Sequence, residues 1–266
     1  MPAVTSVRDA LERIRGPQTT ITTYGPERPD ALHEFLGQFD ARLSHERLPI
    51  PASKSYLTVR RGGEYRGSMP LEAAADATDA PRDLPWDSDA SGYRSLTVLL
   101  AETAFTSVER RHLLATSREF ENRAWRVGRG TLYAGFQSLS AYRTQLAVYR
   151  HLAAETALDV RVYGEPDWTP PDVPGVLVSD SATVAAELGA FWFVVFDGGG
   201  DDEMACALVA EERSEGRYYG AWTYDPGAVR DLATYLDATY GPQSTGCRDA
   251  TDDEESGQDE PGEQNG

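Results

Sequence analysis

The sequence predicts an α/β (α+β) protein, a mixed and largely antiparallel sheet of five to six strands flanked by helices. Three observations predict it. Residues 191–196 read FWFVVF, apolar throughout, as in a strand buried on both faces of a sheet. The last three strand-like segments are joined by connections too short for parallel crossovers, so they form an antiparallel meander. Upstream, segments of helical periodicity alternate with strand-like runs, so helices must cover the sheet.

The elements follow in chain order. A helix is expected over residues 6–15, with Leu11 and Ile14 on one face. A β-branched run at 19–23 precedes a helix at 30–39, and residues 56–59 and 64–68 read as a hairpin about Gly62 and Gly63. Residues 73–91, rich in Asp and Pro, read as a long surface connection. Residues 93–103 carry Leu96, Val98, Leu99 and Leu100. Ser107 is placed to cap the longest helix, which runs to about Arg126 before Gly128 and Gly130 stop it. Leu113, Leu114, Phe120 and Ala124 form its apolar stripe.

A strand at 131–136 leads into one helix, capped by Ser138 or Ser140, with Tyr142, Leu146, Tyr149 and Leu152 on one face. Strands at 159–163 and 175–178 flank a proline-rich loop, and a short helix at 181–188 precedes the apolar strand. Strands at 204–211 and 218–224 complete the meander. Pro226 opens a closing helix, where its missing N–H costs little, with Val229, Leu232, Tyr235 and Leu236 facing in. The expected organisation is an N-terminal segment over 1–90 with short helices and a hairpin, a main domain over 91–240, and a disordered acidic tail over 241–266.

Charge restricts what the chain does. The 266 residues include 43 acids and 25 bases, a formal net charge of -18, and Lys54 is the only lysine. Eight of the acids and one arginine belong to the tail, so the remainder still carries -11. Such a surface suits concentrated salt, where the Debye length falls to about 3 Å and self-repulsion is screened. Guanidinium pairs bidentately with carboxylate, which favours Arg over Lys under ionic competition. An Arg-for-Lys bias from a GC-rich genome gives the same signature. No basic block exists to neutralise phosphates, so nucleic acid is not expected as a partner, nor is an anionic membrane surface. No signal peptide or membrane span is evident, and Cys206 and Cys247 do not suggest a disulfide framework, which points to the cytoplasm.

Few residues nominate a reaction. His33, His45, His112 and His151 lack metal-ligand spacing, and His112 and His151 are expected at helix surface or cap positions. The glycines at 128 and 130 lead from helix to strand, the reverse of a phosphate cradle. Glu119 and Arg123 have the spacing of a surface ion pair, and Asp167 and Asp197 that of turn or cap residues. No catalytic or metal-binding residue is assigned. Aromatic residues are denser, and a subset of them could line a small-ligand pocket.

The stretch from Ser117 to about Tyr240 resembles the DICT sensory domain. The resemblance rests on SREFENRAWRVGRGTLYAGFQSLS, YRHLAAETALDVRVYGEPDW, FWFVVFDGG, ALVAEE and YYGAWTYDP, in the family's order, over a little under half of the chain. With this composition it resembles a stand-alone, haloarchaeal type. It implies a sensor-like fold and a signal-input protein without its own output domain, since no cyclase, phosphodiesterase, kinase or receiver motif is present. The implied partners are a small-molecule ligand and a signalling protein such as a kinase, cyclase or transcription regulator. The cofactor is left open. Ligand-binding residues are expected among strand and loop positions at Phe136, Gln137, Arg143, Trp168, Trp192 and Trp222; Phe136 and Gln137 end a strand beside a helix start, a usual place for ligand contacts in α/β sheets. Two other readings stand beside this one. One is an enzyme using Asp167, Asp197 or Glu211 with an arginine. The other is an interaction scaffold whose long helix docks to a partner or pairs across a homodimer.

Overall fold

A computed structural model describes residues 3–79, 84, 86 and 91–241. The expected acidic tail beyond Gly241, Cys247, and residues 80–83, 85 and 87–90 of the expected surface connection lie outside the described residues.

The N-terminal third builds α1 (Val7–Ile14), β1 (Thr19–Gly25), α2 (Asp30–Leu36), β2 (Ala41–Arg47), β3 (Tyr56–Arg61), β4 (Glu64–Pro70) and α3 (Leu71–Asp76). Ser6 caps α1 by accepting from the Asp9 N–H. In β1 every second residue is buried, the period of a strand with one covered face. The first sheet has the order β2-β1-β3-β4, with β1 and β2 parallel through α2 and the other pairs antiparallel. Two elements depart from expectation. Strand β2 is an edge strand with no fully buried residue; only Ala41 and Leu43 turn toward the core, too short an apolar alternation to mark a strand in ARLSHER. Helix α3 occupies the start of the expected surface connection and buries Leu71 and Ala74.

The chain continues with α4 (Ser91–Leu100), β5 (Phe105–Glu109), α5 (Arg110–Val127), β6 (Arg129–Ser138), α6 (Leu139–Arg143), α7 (Leu146–Glu155), β7 (Ala157–Glu165), β8 (Val176–Ser179), α8 (Ala182–Leu188), β9 (Phe191–Phe196), β10 (Cys206–Ser214), β11 (Arg217–Thr223) and α9 (Pro226–Tyr240). Its sheet has seven strands in the order β5-β11-β10-β9-β6-β7-β8. The α/β class and the antiparallel β9-β10-β11 meander are as predicted. Strands β6, β7 and β8 are parallel, and β9 joins β6 antiparallel.

The expected count of five to six strands is too low because of β5. Phe105 and Val108 face inward from a short β-branched run that pairs with β11. Ser107 is therefore a strand residue and caps nothing; α5 begins after Glu109. Gly128 ends α5 as anticipated, at φ +69°, a left-handed conformation that favours glycine. The single helix expected after β6 is two helices, α6 and α7, broken at Thr144 and Gln145.

All six residues of β9 are buried, and two apolar layers account for it. On one face Val7, Leu11, Val184, Leu232 and Leu236 of α1, α8 and α9 meet Phe193, Val195 and Val209. On the other face Leu113, Phe120, Tyr149 and Leu152 of α5 and α7 meet Leu132, Val160 and Val194. That second core runs without a break to Ile21 and Leu57 of the small sheet. Helix α5 is consequently covered on both sides. Its other face meets α4, where Tyr93 donates to the His112 carbonyl at 3.0 Å. His112 is buried, not at a helix surface or cap, and His151 lies against Trp86 and Trp125 at ring distances of 3.9 and 5.2 Å. Glu119 is also buried, bridging Arg94 at 2.9 Å and Arg123 at 3.6 Å, so the expected surface ion pair is an interior one.

Candidate functional site

Strand β6 ends on an irregularity. Its pairing with β7 shifts between Gly135 and Ser138, and Gln137 adopts φ +61°. A non-glycine residue held there marks stored strain and often a functional position. The bulge turns the chain into α6, whose first turn is closed by the Ser138 hydroxyl and by Asp167, which accepts from the Ser140 N–H at 2.8 Å. Gly164 packs against this turn, leaving 3.0 Å between the Leu139 nitrogen and any Cβ placed there.

Several expected site residues meet at this strand end. Phe136 is buried, with its ring 5.3 Å from both Tyr142 and Tyr149 and 6.4 Å from Trp192. Trp192 donates its indole N–H to the Ser117 hydroxyl at 3.0 Å and carries the Arg110 guanidinium 5.5 Å above its ring. Gln137 donates to Glu212 at 2.8 Å and accepts from Tyr218 at 3.5 Å, and Tyr218 packs edge-on to Trp192. Arg143 and Trp168 form a separate cation–π pair at 6.0 Å. Trp222 is elsewhere. It donates to the Thr97 carbonyl at 2.8 Å and packs with Phe39 and Phe105 under α4.

Beneath Phe136 lies a polar cluster that the sequence did not single out. Arg118 pairs with Glu121 and donates to the Gln145 side-chain oxygen, while Tyr149 donates to Glu121 at 2.7 Å. Arg118, Glu121 and Tyr149 are all buried. Burial alone would lower the Arg118 pKa, but the Glu121 charge and hydrogen bond leave it raised. Burial, reinforced by the Glu121 charge, holds the Tyr149 hydroxyl well above its ordinary value. The break between α6 and α7 presents Gln145 to this cluster. In so acidic a chain, Arg118 and Glu121 look like any surface pair in sequence; only the α7 aromatic stripe hinted that α5 is covered there.

Tyr142 belongs to both the aromatic stack and a cavity. The cavity holds about 340 Å³ between α6, the 170–173 loop and β8, lined by Tyr142, Pro170, Pro171, Asp172, Val173 and Val176 among others. The Tyr142 hydroxyl is buried and has no hydrogen-bond partner among the described residues. Burial pushes its pKa up to about 12, so it is a standing donor. Buried polar groups without partners are uncommon and costly.

The carboxylates considered for catalysis do not converge. Asp167 caps α6, Asp197 accepts from the N–H groups of Thr131 and Gly199 at 2.9 and 2.8 Å, and Glu211 pairs with Arg8 and Arg213. Among the described residues no three His, Cys, Asp or Glu side chains gather as a metal site, and no helix is long and apolar enough to cross a membrane.

Comparison with known proteins bears on the same region. Residues 93–213 match the DICT family. Its description is a sensory domain in diguanylate cyclases and two-component systems, which supports a signal-sensing role. The DICT segment runs from Tyr93 in α4 to Arg213 in β10 and contains the β6 bulge, the Arg118 cluster and the whole Tyr142 cavity. Helix α1, the small sheet, β11 and α9 lie outside it. No curated protein matches the chain. Polyphosphate kinase from Porphyromonas gingivalis is a structural match with a TM-score of 0.38 and 12% identity. That match covers 88% of this chain and 48% of the kinase, so the chain spans about half the kinase's length. At that level the likeness carries no argument about fold or activity.

Proposed function

We propose that the DICT segment senses a small ligand in the Tyr142 cavity and reports it by contact with a signalling partner, without performing a reaction itself. One observation carries this reading. A buried hydroxyl fixed as a donor has no partner, and its residue lines a ligand-sized hollow inside the segment that matches a sensory family. The ligand that suits it is compact, with an apolar part to lie on Pro170, Pro171 and Val176 and one oxygen acceptor for Tyr142, whose hydroxyl is closed to solvent and opens to the hollow only as the occupant seats. Arg143 and Trp168 stand on neighbouring elements, and Tyr142 touches Phe136 and Tyr149, so an occupant is linked to the Glu121 cluster on α5. A kinase, cyclase or transcription regulator is the kind of partner that would read such a change.

Benzamide and benzoate, titrated in molar salt and followed by ligand-observed NMR, test the site. Both the wild-type chain and Tyr142→Phe should fold, because removing an unpaired hydroxyl forfeits no hydrogen bond. At least one probe should bind wild type and weaken about tenfold in the variant, the worth of one hydrogen bond. Equal binding to both proteins, or to neither, rejects the reading.

A further inference from the structure

A second cavity, larger than the one at Tyr142, belongs mostly to segments outside the DICT match. It holds about 470 Å³ between α1, the turn after α4, the end of β11 and the first turns of α9. This is the size of a cleft that encloses a small organic molecule. Its walls divide by chemistry. Ala10 and Ile14 of α1, with Val4 before it, give an apolar side. Glu102, Asp225 and Asp231 face it with carboxylates.

The basic residues nearby are already engaged. Arg13, also in the wall, binds Asp9 at 2.9 Å and the Ala3 carbonyl at 3.0 Å. Arg61 spends its charge on Glu102 at 2.7 Å, and Arg66 reaches the same carboxylate at 4.0 Å. Asp225 caps α9 by accepting from the Ala228 N–H at 2.7 Å, which offsets the positive end of that helix. The Asp231 carboxylate has neither hydrogen bond nor ion pair among the described residues. Counting Asp9, Arg61 and Arg66 with the wall, the acids outnumber the bases by one. An anion is repelled from such a hollow, while a cation with an apolar body satisfies both walls.

We infer that this cavity is a second binding site, and that it takes a small organic cation, a primary amine or guanidine on a short apolar body. The cationic end lies among Glu102, Asp225 and Asp231, and the body lies on Ala10 and Ile14. Glu102 gives the site a reach beyond its own walls. It is held at φ +60°, donates its N–H to the Trp222 carbonyl at 2.6 Å, and accepts at its own carbonyl from the Gly16 N–H at 2.9 Å. Through Arg61 it also grips β3 of the small sheet. A cation at Glu102 therefore touches the junction of α1, β11 and the small sheet.

Three isosteric probes separate charge from shape: phenethylammonium, 2-phenylethanol and phenylacetate, titrated into the full chain by calorimetry at two salt concentrations. Phenethylammonium should bind, with 2-phenylethanol weaker by about tenfold and phenylacetate silent. Raising the salt should weaken the ammonium but not the alcohol. Asp231→Asn, a surface change that spares the core, should weaken the ammonium about fivefold. Ala228→Leu, which fills the mouth from the first turn of α9, should abolish binding while the thermal transition remains cooperative. The inference is overturned if phenylacetate binds as well as the ammonium, if Ala228→Leu binds unchanged, or if no probe binds the folded chain. None of these outcomes bears on Tyr142, which lines a different cavity.

Discussion

His33 and His112 are buried imidazoles held neutral by their surroundings. His112 donates from Nε2 to the Thr78 carbonyl at 3.1 Å, and its Nδ1 has no partner among the described residues. A second proton there would be charged and unpaired. Burial is the main cause that lowers the His112 pKa, only partly opposed by the Thr78 bond. His33 shares the Thr23 hydroxyl with His45, and burial followed by the Arg28 charge lowers its pKa as well. In the unfolded chain both rings protonate near the ordinary value of about 6.5. Between that point and the lowered folded values, the unfolded state binds more protons. Stability is therefore complete above about pH 6.5 and falls as the pH drops through that window. The thermal midpoint should be lower at pH 5.5 than at about pH 7.5, and His112→Gln, which keeps a donor for Thr78, should flatten the slope. An unchanged slope in the variant would show that His112 does not contribute.

Among the elements, α5 departs furthest from expectation, since a helix of mean polar character is buried on both sides. Besides its apolar stripe it buries His112, Thr116, Ser117, Arg118, Glu119, Glu121 and Asn122. Each charge there is tolerated only because a partner meets it. Glu121→Leu strands the Arg118 guanidinium and should cost about 3–5 kcal/mol. The double variant Arg118→Met, Glu121→Leu removes both charges and should be more stable than Glu121→Leu alone, because uncharged side chains of similar volume need no partner. Urea unfolding measures this; a double variant no better than the single would mean that the pair is not the source of the cost. The same helix shows why part of the fold was legible and part was not. Strand β9 could be read because six consecutive apolar residues have few alternatives, and the Gly128 stop because a left-handed cap asks for glycine. Edge strand β2 and strand β5 could not, since one has no fully buried residue and the other is only five residues long. Strand-end logic pointed to Phe136 and Gln137, and the fold sets Trp192 beside Phe136. Trp222 lies apart from them, because an aromatic residue in a strand carries no mark of which part of the core it fills. In the sequence Tyr142 is one more residue of a helix stripe; its missing partner is a property of the folded interior alone.

At the scale of the whole molecule, two electrostatic effects of salt oppose each other. Salt weakens exposed ion pairs, of which Arg28–Asp30, Arg111–Glu109 and Arg230–Asp202 are examples. Such pairs contribute about 0–1 kcal/mol each even in dilute buffer, so little is lost with them. The pairs that matter for the interior, Arg61–Glu102, Arg94–Glu119 and Arg118–Glu121, each bury at least one partner, and buried pairs are screened far less. Against this small loss stands the relief of a net charge of -18 confined to one chain. Its repulsion acts over about 10 Å at 0.1 M salt and about 3 Å at 1 M. Relief should dominate, so the thermal midpoint should climb steadily between those two concentrations of sodium chloride and level off above them. Sucrose raises stability without screening charge, so it serves as the control. A chain in which surface repulsion matters gains more from the first increments of salt than from sucrose of equal osmolality. A midpoint that is flat or falls with salt would show that the acidic surplus reflects composition bias and not adaptation to a concentrated ionic medium.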